Sequence, residues 1–339
     1  MLRNIRKIAA SVGLALGVAV AASACAGGAG AADDVAGQTV LRLGHASSHE
    51  STWHRGLEKF ADLVYENTNG EVRVDVFANE LLGSEVDNIN SIHTGDADMV
   101  LSGETLQSWA PIVGMMSTPF LIEDSEHMHR VITGEVGQMF EREISENAGL
   151  HVLTYFERGP RLVTSNTPIR DLDDLNSLRI RIPNVPLFVS VWQAWGASPT
   201  TMAFGEVFTS LQQGVIEAQE NPLAMIHAGA FQEVQSYLND TAHVRSWIYV
   251  LIGNDQWAAL TPAQQTAIQN AANEAQAYEH QLFLAEEEYL LNLLTQTYGM
   301  TFVETNRQSF IDAIEQFYVN GGLTAEQLEV FFQIRELAN

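Results

Sequence analysis

Positive charge is scarce in this 339-residue chain: 17 Lys and Arg stand against 42 Asp and Glu. Only two of those cations are lysines, Lys7 and Lys59, and the sole cysteine is Cys25. A field this negative disfavours nucleic acid and anionic lipid as partners. A single cysteine excludes an internal disulfide. No G-x-S-x-G or S-x-x-K nucleophile motif occurs, nor a G-x-x-x-x-G-K-[ST] or G-x-G-x-x-G phosphate loop, so hydrolase and nucleotide readings lose their support. Histidines cluster at His45, His49 and His54 and pair at His127 and His129. The stretch "HESTWH" (49–54) has three residues between Glu50 and His54, where a zinc-protease helix needs two to bring both histidines to one face. These histidines are expected on the surface or in a cleft, with zinc capture left as an alternative, and no cofactor is expected.

What is present begins with an export segment. Arg3, Arg6 and Lys7 precede an apolar run over 8–20, and Ala22, Ser23 and Ala24 precede Cys25, as in a cleaved signal peptide (1–25). The apolar run is too short to span a bilayer. Cys25 directly after "ASA" suggests a lipidated N-terminus, with ordinary cleavage nearby as the alternative. The Gly/Ala-rich stretch 26–38 reads as a flexible tether. The expectation is an extracytoplasmic protein, monomeric, whose only membrane association is the lipid. Without the leader, 14 cations face 42 anions, a net charge of −28, as a salty habitat would favour.

Five of those 14 cations, Arg158, Arg161, Arg170, Arg179 and Arg181, fall within 24 positions, and 182–244 contains no Lys or Arg. "LRIRIP" (178–183) reads as a strand in which Leu178, Ile180 and Ile182 share one face and Arg179 and Arg181 the other. Pro183 closes it. A guanidinium fork matches a carboxylate bidentately, so the run suits an anion site. It also suits solvent-facing charges or internal ion pairs.

Alternation and helical spacing give strand, helix, strand, helix, strand over 39–47, 54–70, 71–77, 85–95 and 97–102, an α/β pattern with a largely parallel sheet. In such sheets ligands sit beyond the carboxyl ends of the strands. A second α/β region starts at 150–157 and 161–166, with a helix stopped by Gly196, a short helix in 204–214 and an extended 215–220. "TPAQQ" (261–265) is a capping box opening a helix that continues to about Thr297, long enough to brace both regions. Thr324 and Gln327 open another.

The run "LRIRIPNVP…WGASPTTMAFGEVFTSLQQGVIEAQENPL" (178–223), with "LGSE" (82–85), "TSN" followed by Pro168, and "TAH" (241–243), closely resembles the solute-binding proteins of TRAP transporters, the DctP family, over about residues 39–335. The resemblance implies a two-lobed, class II periplasmic-binding-protein-like α/β fold. Each lobe would be a mixed sheet flanked by helices, with the long C-terminal helix spanning both. Lobe I would comprise 39–158 plus about 247–286, and lobe II 159–246 plus about 287–339. It implies no enzyme but a receptor that closes on an organic acid and delivers it to membrane permease subunits. The arginine that pairs the ligand carboxylate falls on Arg181 and a second on Arg161. An asparagine donor falls on Asn221, and an aromatic against the ligand body on Phe204. Positions around His45–Ser47, Glu85 and Gly103–Glu104 are implied to face the ligand from lobe I.

Glu85 and Glu104 could accept from hydroxyl groups, which suits a uronate or aldonate. A dicarboxylate would call for a second cation from Arg42, Arg55, Lys59, Arg73, Arg130 or Arg142. C4-dicarboxylate or keto-acid binding, a sensor-coupled receptor and an enzyme on the same scaffold are the alternatives. Trp109, Trp192, Trp195 and Trp247 could stack on a sugar ring or belong to the core.

Overall fold

The computed structural model describes residues 37–338; the expected signal segment, Cys25 and most of the tether lie outside the described residues. Within them run eleven strands: β1 (Thr39–Gly44), β2 (Val72–Phe77), β3 (Met99–Ser102), β4 (Leu150–Arg158), β5 (Leu162–Ser165), β6 (Arg179–Ile182), β7 (Ser198–Thr201), β8 (Ala218–Asn221), β9 (Tyr237–Asn239), β10 (Ser246–Gly253) and β11 (Thr301–Val303). They form two mixed sheets flanked by helices, ordered β2-β1-β3-β10-β4 and β11-β9-β5-β8-β6-β7. The two-lobed α/β architecture is thus present.

The first five elements follow the expected order. The helix Thr52–Asn67 buries Leu57, Phe60, Leu63 and Val64, and β1 lies parallel to β2 and β3. The sheet departs from the largely parallel expectation at β10, which is antiparallel to both β3 and β4. All eight β10 residues are buried. A strand covered on both faces carries no apolar–polar alternation, so its periodicity is invisible in sequence.

The chain passes between the sheets twice by short segments, from β4 to β5 through 159–161 and from β9 to β10 through 240–245. The long helix Pro262–Asn292 starts at the expected capping box of Thr261 and Gln264 and runs on into a π-helical turn, Leu293–Thr297. It packs against Thr52–Asn67, against β4 and against the short helix Leu223–Ala228, so it touches elements of both sheets. The capping box of Thr324 and Gln327 also forms, opening Ala325–Glu336. Trp192, Trp195 and Trp247 are core residues at 1%, 2% and 0% exposure, and Trp109 packs against the same core.

Inside the packing of the long helix on Thr52–Asn67 lies Glu279, fully buried. Its Cγ would stand 2.8 Å from a Cβ at position 56, so the bare backbone of Gly56 admits the carboxyl between the helices. Burial pushes that carboxyl from 4.5 up to about 8. The folded protein therefore keeps a proton that the unfolded chain releases near pH 4.5. This contribution to stability is complete below that pH and is lost as pH rises towards 8. Glu279→Gln should flatten the loss: urea midpoints of the two proteins should agree near pH 4.5, and the variant should gain about 1–3 kcal/mol at pH 8. A variant less stable than the parent at pH 8 would refute the buried neutral acid.

Candidate functional site

The carboxyl ends of the parallel strands converge on one cavity of about 400 Å³, within the range typical of small-molecule sites. From the first sheet, Ala46 follows β1, Glu80, Ser84 and Glu85 follow β2, and Glu104 and Thr105 follow β3. From the second, Arg181, Pro183 and Asn184 come from β6 and its end, Met202 and Phe204 follow β7, and Asn221 ends β8. Arg158 ends β4, and Arg161 stands immediately before β5. Trp53, from the first turn of Thr52–Asn67, supplies an aromatic wall.

The two arginines of β6 separate as their positions along the strand dictate. Arg179, at the start, is half exposed and pairs with Glu217 at 3.2 Å. Arg181, two residues nearer the carboxyl end, is 3% exposed. Its Nε and Nη2 donate to the Met202 carbonyl at 3.1 and 2.7 Å, which fixes the guanidinium plane. Among the described residues no carboxylate accepts from it, and Nη1 makes no hydrogen bond to protein. Burial draws its pKa down to about 10, offset in part by Glu220, so it stays cationic at neutral pH.

Arg161 is engaged on every side. Nε and Nη2 form a fork on the Glu220 carboxylate, with Nη2 to Oε1 at 2.7 Å, and Nη1 donates to Glu104 Oε1 at 3.0 Å. Nη2 also reaches the Glu220 carbonyl at 2.8 Å and Asn221 Oδ1 at 3.3 Å. Arg158 Nη1 donates to the other oxygen of Glu104 while its guanidinium lies 5.4 Å from the Trp53 ring centre. Burial opposes ionisation of Glu104, but Arg158 and Arg161 outweigh it and hold the carboxyl below its ordinary range. Burial likewise opposes Glu220, yet Arg161 and the His243 hydrogen bond bring it down to about 2. His243 Nε2 donates to Glu220 Oε2 at 3.1 Å, and burial lowers its pKa while the Glu220 hydrogen bond and charge act to raise it. Arg158 and Arg161 are thus paired with Glu104 and Glu220, while Arg181 donates only to a backbone carbonyl.

The wall from the first sheet is acidic. Glu85 accepts from Ser102 Oγ and from the Gly103 N–H at 3.2 Å through one oxygen; burial, then the Glu104 charge, raises its carboxyl. Glu80 is also raised by burial. None of the six first-lobe cations weighed above lines the cavity.

Six of the eight residues expected at the ligand, Arg181, Arg161, Asn221, Phe204, Glu85 and Glu104, line the same cavity. Three details differ from expectation: Arg161, expected as a second partner of the ligand carboxylate, is committed to Glu220 and Glu104. Both Glu104 oxygens are taken by arginines, so it orients guanidiniums where a hydroxyl acceptor was expected. The Asn221 amide, expected to donate to the ligand carboxylate, donates to Gln219 Oε1 at 2.7 Å. His45 and Ser47 are the exceptions: both are buried while Ala46, between them, lines the cavity. Beyond Gly44 the chain is irregular, and of the three only Ala46 lines the cavity. His45 Nε2 instead meets His54 Nδ1 at 3.0 Å, and His54 Nε2 meets His49 Nδ1 at 3.2 Å. No group of three metal-ligating side chains among the described residues is arranged to hold an ion.

Trp53, Asn184 and Glu80 were not singled out from sequence. Asn184 follows the arginine strand in "RIPN", an adjacency that could have flagged it; nothing local distinguishes Trp53 or Glu80.

Residues 43–321 match the family described as bacterial extracellular solute-binding protein, family 7 (DctP). A solute-binding protein of Roseobacter denitrificans is 45% identical over 294 residues, 86% of this chain and 89% of its own. The 2,3-diketo-L-gulonate-binding periplasmic protein YiaO of Escherichia coli is 32% identical over 276 residues, 81% and 84% of the respective chains. A crystal structure of a TRAP periplasmic solute binding protein from Roseobacter denitrificans with bound L-galactonate has a TM-score of 0.85 and 42% identity, covering 89% of this chain and 99% of that one. The chain belongs to the DctP family of bacterial extracellular solute-binding proteins.

Proposed function

We propose that this protein captures a sugar monocarboxylic acid, an aldonate or uronate, in the cleft between its sheets and hands it to the membrane subunits of a TRAP permease. The observation that carries the reading is Arg181: a buried guanidinium, fixed by the Met202 carbonyl, from which no carboxylate among the described residues accepts. A ligand carboxylate supplies the missing anion, and in a closed site of low dielectric that pairing is strong. Asn221 and Arg161 border the same space, and Phe204 and Trp53 offer faces to the carbon chain. Glu85 accepts from ligand hydroxyls through the oxygen that Ser102 and Gly103 leave free, and Glu80 stands on the same wall. The same acids give a second ligand carboxylate no compensating charge, which favours sugar acids over dicarboxylates. The relatives point the same way, one binding a diketogulonate and one crystallised with a galactonate.

Capture runs by hinge closure about the two short crossings. The moving lobes are taken as 39–158 with 247–286 and 159–246 with 287–339; the strand membership of the two sheets supports this, β10 starting one residue early. The receptor binds and releases its ligand unchanged, as a monomer. Lipidation at Cys25 tethers it outside the cytoplasm. If so, Cys25→Ser should move the exported protein from the membrane to the soluble fraction; equal partitioning would count against the anchor.

Arg181→Ala should weaken calorimetric binding of L-galactonate at least about 30-fold, an order set by charge-assisted hydrogen bonding, with the thermal midpoint of the free protein held or raised. Arg181→Lys, which keeps the charge but not the fork, should recover only part. Undiminished affinity in Arg181→Ala would remove the clamp. In thermal unfolding against aldonates, uronates, aldarates, C4-dicarboxylates and neutral sugars, the monocarboxylic sugar acids should stabilise by several degrees, as a ligand at about 100 times its Kd adds ~2.7 kcal/mol. Stabilisation by aldarates or neutral sugars alone would overturn the proposed class.

A further inference from the structure

One carboxylate bridges the cavity on the side away from the crossings. Glu80 follows β2 and Gly205 follows β7, and β2 and β7 are edge strands of their respective sheets. The crossings leave from β4, β5, β9 and β10, towards the opposite edges. Between the two free edges the Gly205 N–H donates to Glu80 Oε2 at 3.0 Å. Glu80 and the adjoining Phe204 both line the cavity, as does Arg181.

The contact is built from both sides. Asn79 and Glu80 each adopt a left-handed backbone, with φ of 56° at both, a conformation that side-chain-bearing residues rarely take in succession. Two backbone bonds hold it: Asn79 N–H to the Ser47 carbonyl at 3.0 Å and Glu80 N–H to the His45 carbonyl at 3.1 Å. So His45 and Ser47, whose side chains turn from the cavity, fix through their carbonyls the loop that reaches across it. Opposite, a Cβ at Gly205 would stand 2.6 Å from Glu80 Oε2, so a glycine is what lets the carboxylate approach. Burial raises the Glu80 carboxyl, while the Gly205 amide and then the Arg181 charge act to lower it.

We propose that Glu80 is a positioning residue that latches the cleft shut over the bound acid through the Gly205 amide, and thereby sets how slowly the ligand leaves. The proposal rests on the ligand-capture reading above. A latch formed after the ligand has entered acts on dissociation and leaves association nearly untouched. In stopped-flow tryptophan fluorescence with L-galactonate, Glu80→Ala should raise the dissociation rate constant about tenfold and keep the association rate constant within about twofold. Glu80→Gln retains an acceptor oxygen and should fall between. An unchanged dissociation rate constant, or an equal loss on the association side, overturns the latch. Hydrogen exchange on the L-galactonate complex supplies a second readout: the segment 203–206 should exchange faster in the saturated Glu80→Ala complex than in the saturated parent complex, and equal exchange there overturns the latch. A parent protein that does not bind L-galactonate counts against the sugar-acid reading alone, and both measurements are then made with the acid that does stabilise the parent in thermal unfolding.

Discussion

A guanidinium stripped of water has to be met by a carboxylate, and the cleft is arranged around where that requirement is satisfied and where it is not. Arg161, 1% exposed, is satisfied completely: Glu220 from β8 takes its fork and Glu104 from the end of β3 takes its remaining arm. It stands in the segment 159–161 that joins the two sheets. One side chain therefore ties an anion of each sheet to the connection between them. Breaking such a buried pair by removing one partner costs roughly 3–5 kcal/mol, because the other charge is left uncompensated. The network thus fixes the local geometry of the crossing and, by committing Glu104 and Glu220 to Arg158 and Arg161, leaves Arg181 with no carboxylate accepting from it.

Much of this arrangement was legible in the residue pattern, for identifiable physical reasons. The alternation of "LRIRIP" put Arg179 and Arg181 on one face, and strand direction decided that only the later one reaches the cleft. The capping boxes at Thr261 and Thr324 are local bonds within four residues and formed as read. What escaped were properties that depend on partners distant in the chain. The two faces of β10 pack into different clusters, Trp247, Tyr249 and Leu251 into one and Ile248, Val250 and Ile252 into the other, so its sequence carries no period. The pairing of Glu104 with Arg158 spans 54 positions, and nothing near Glu104 announces that its oxygens are already occupied. His45 and Ser47 were expected at the ligand as a stretch, but the chain bends just beyond β1 and the cavity receives Ala46. The resemblance between sequences located the segment; only the backbone direction assigned the side chains.

A formal net charge of −25 is at odds with holding an anion until distances are compared. At physiological ionic strength a charge is screened beyond about 8 Å, so the surface carboxylates govern the approach weakly and the cavity governs the outcome. Inside it, desolvation works on cations and anions alike, and only differences in partnering survive. On the second-sheet side Arg181 is left without an accepting carboxylate, while Glu80 and Glu85 on the opposite wall are pushed towards neutrality by burial. A carboxyl poised in this way can accept from a hydroxyl, or donate when protonated, but it gives no compensation to a second anion. A ligand with one carboxylate and several hydroxyls answers both walls at once. A ligand with two carboxylates leaves one of them buried beside acids, and a neutral sugar leaves Arg181 unanswered. Selection for a hydroxylated monoacid therefore follows from the mismatch between the two walls, without requiring a dedicated contact for each atom of the ligand.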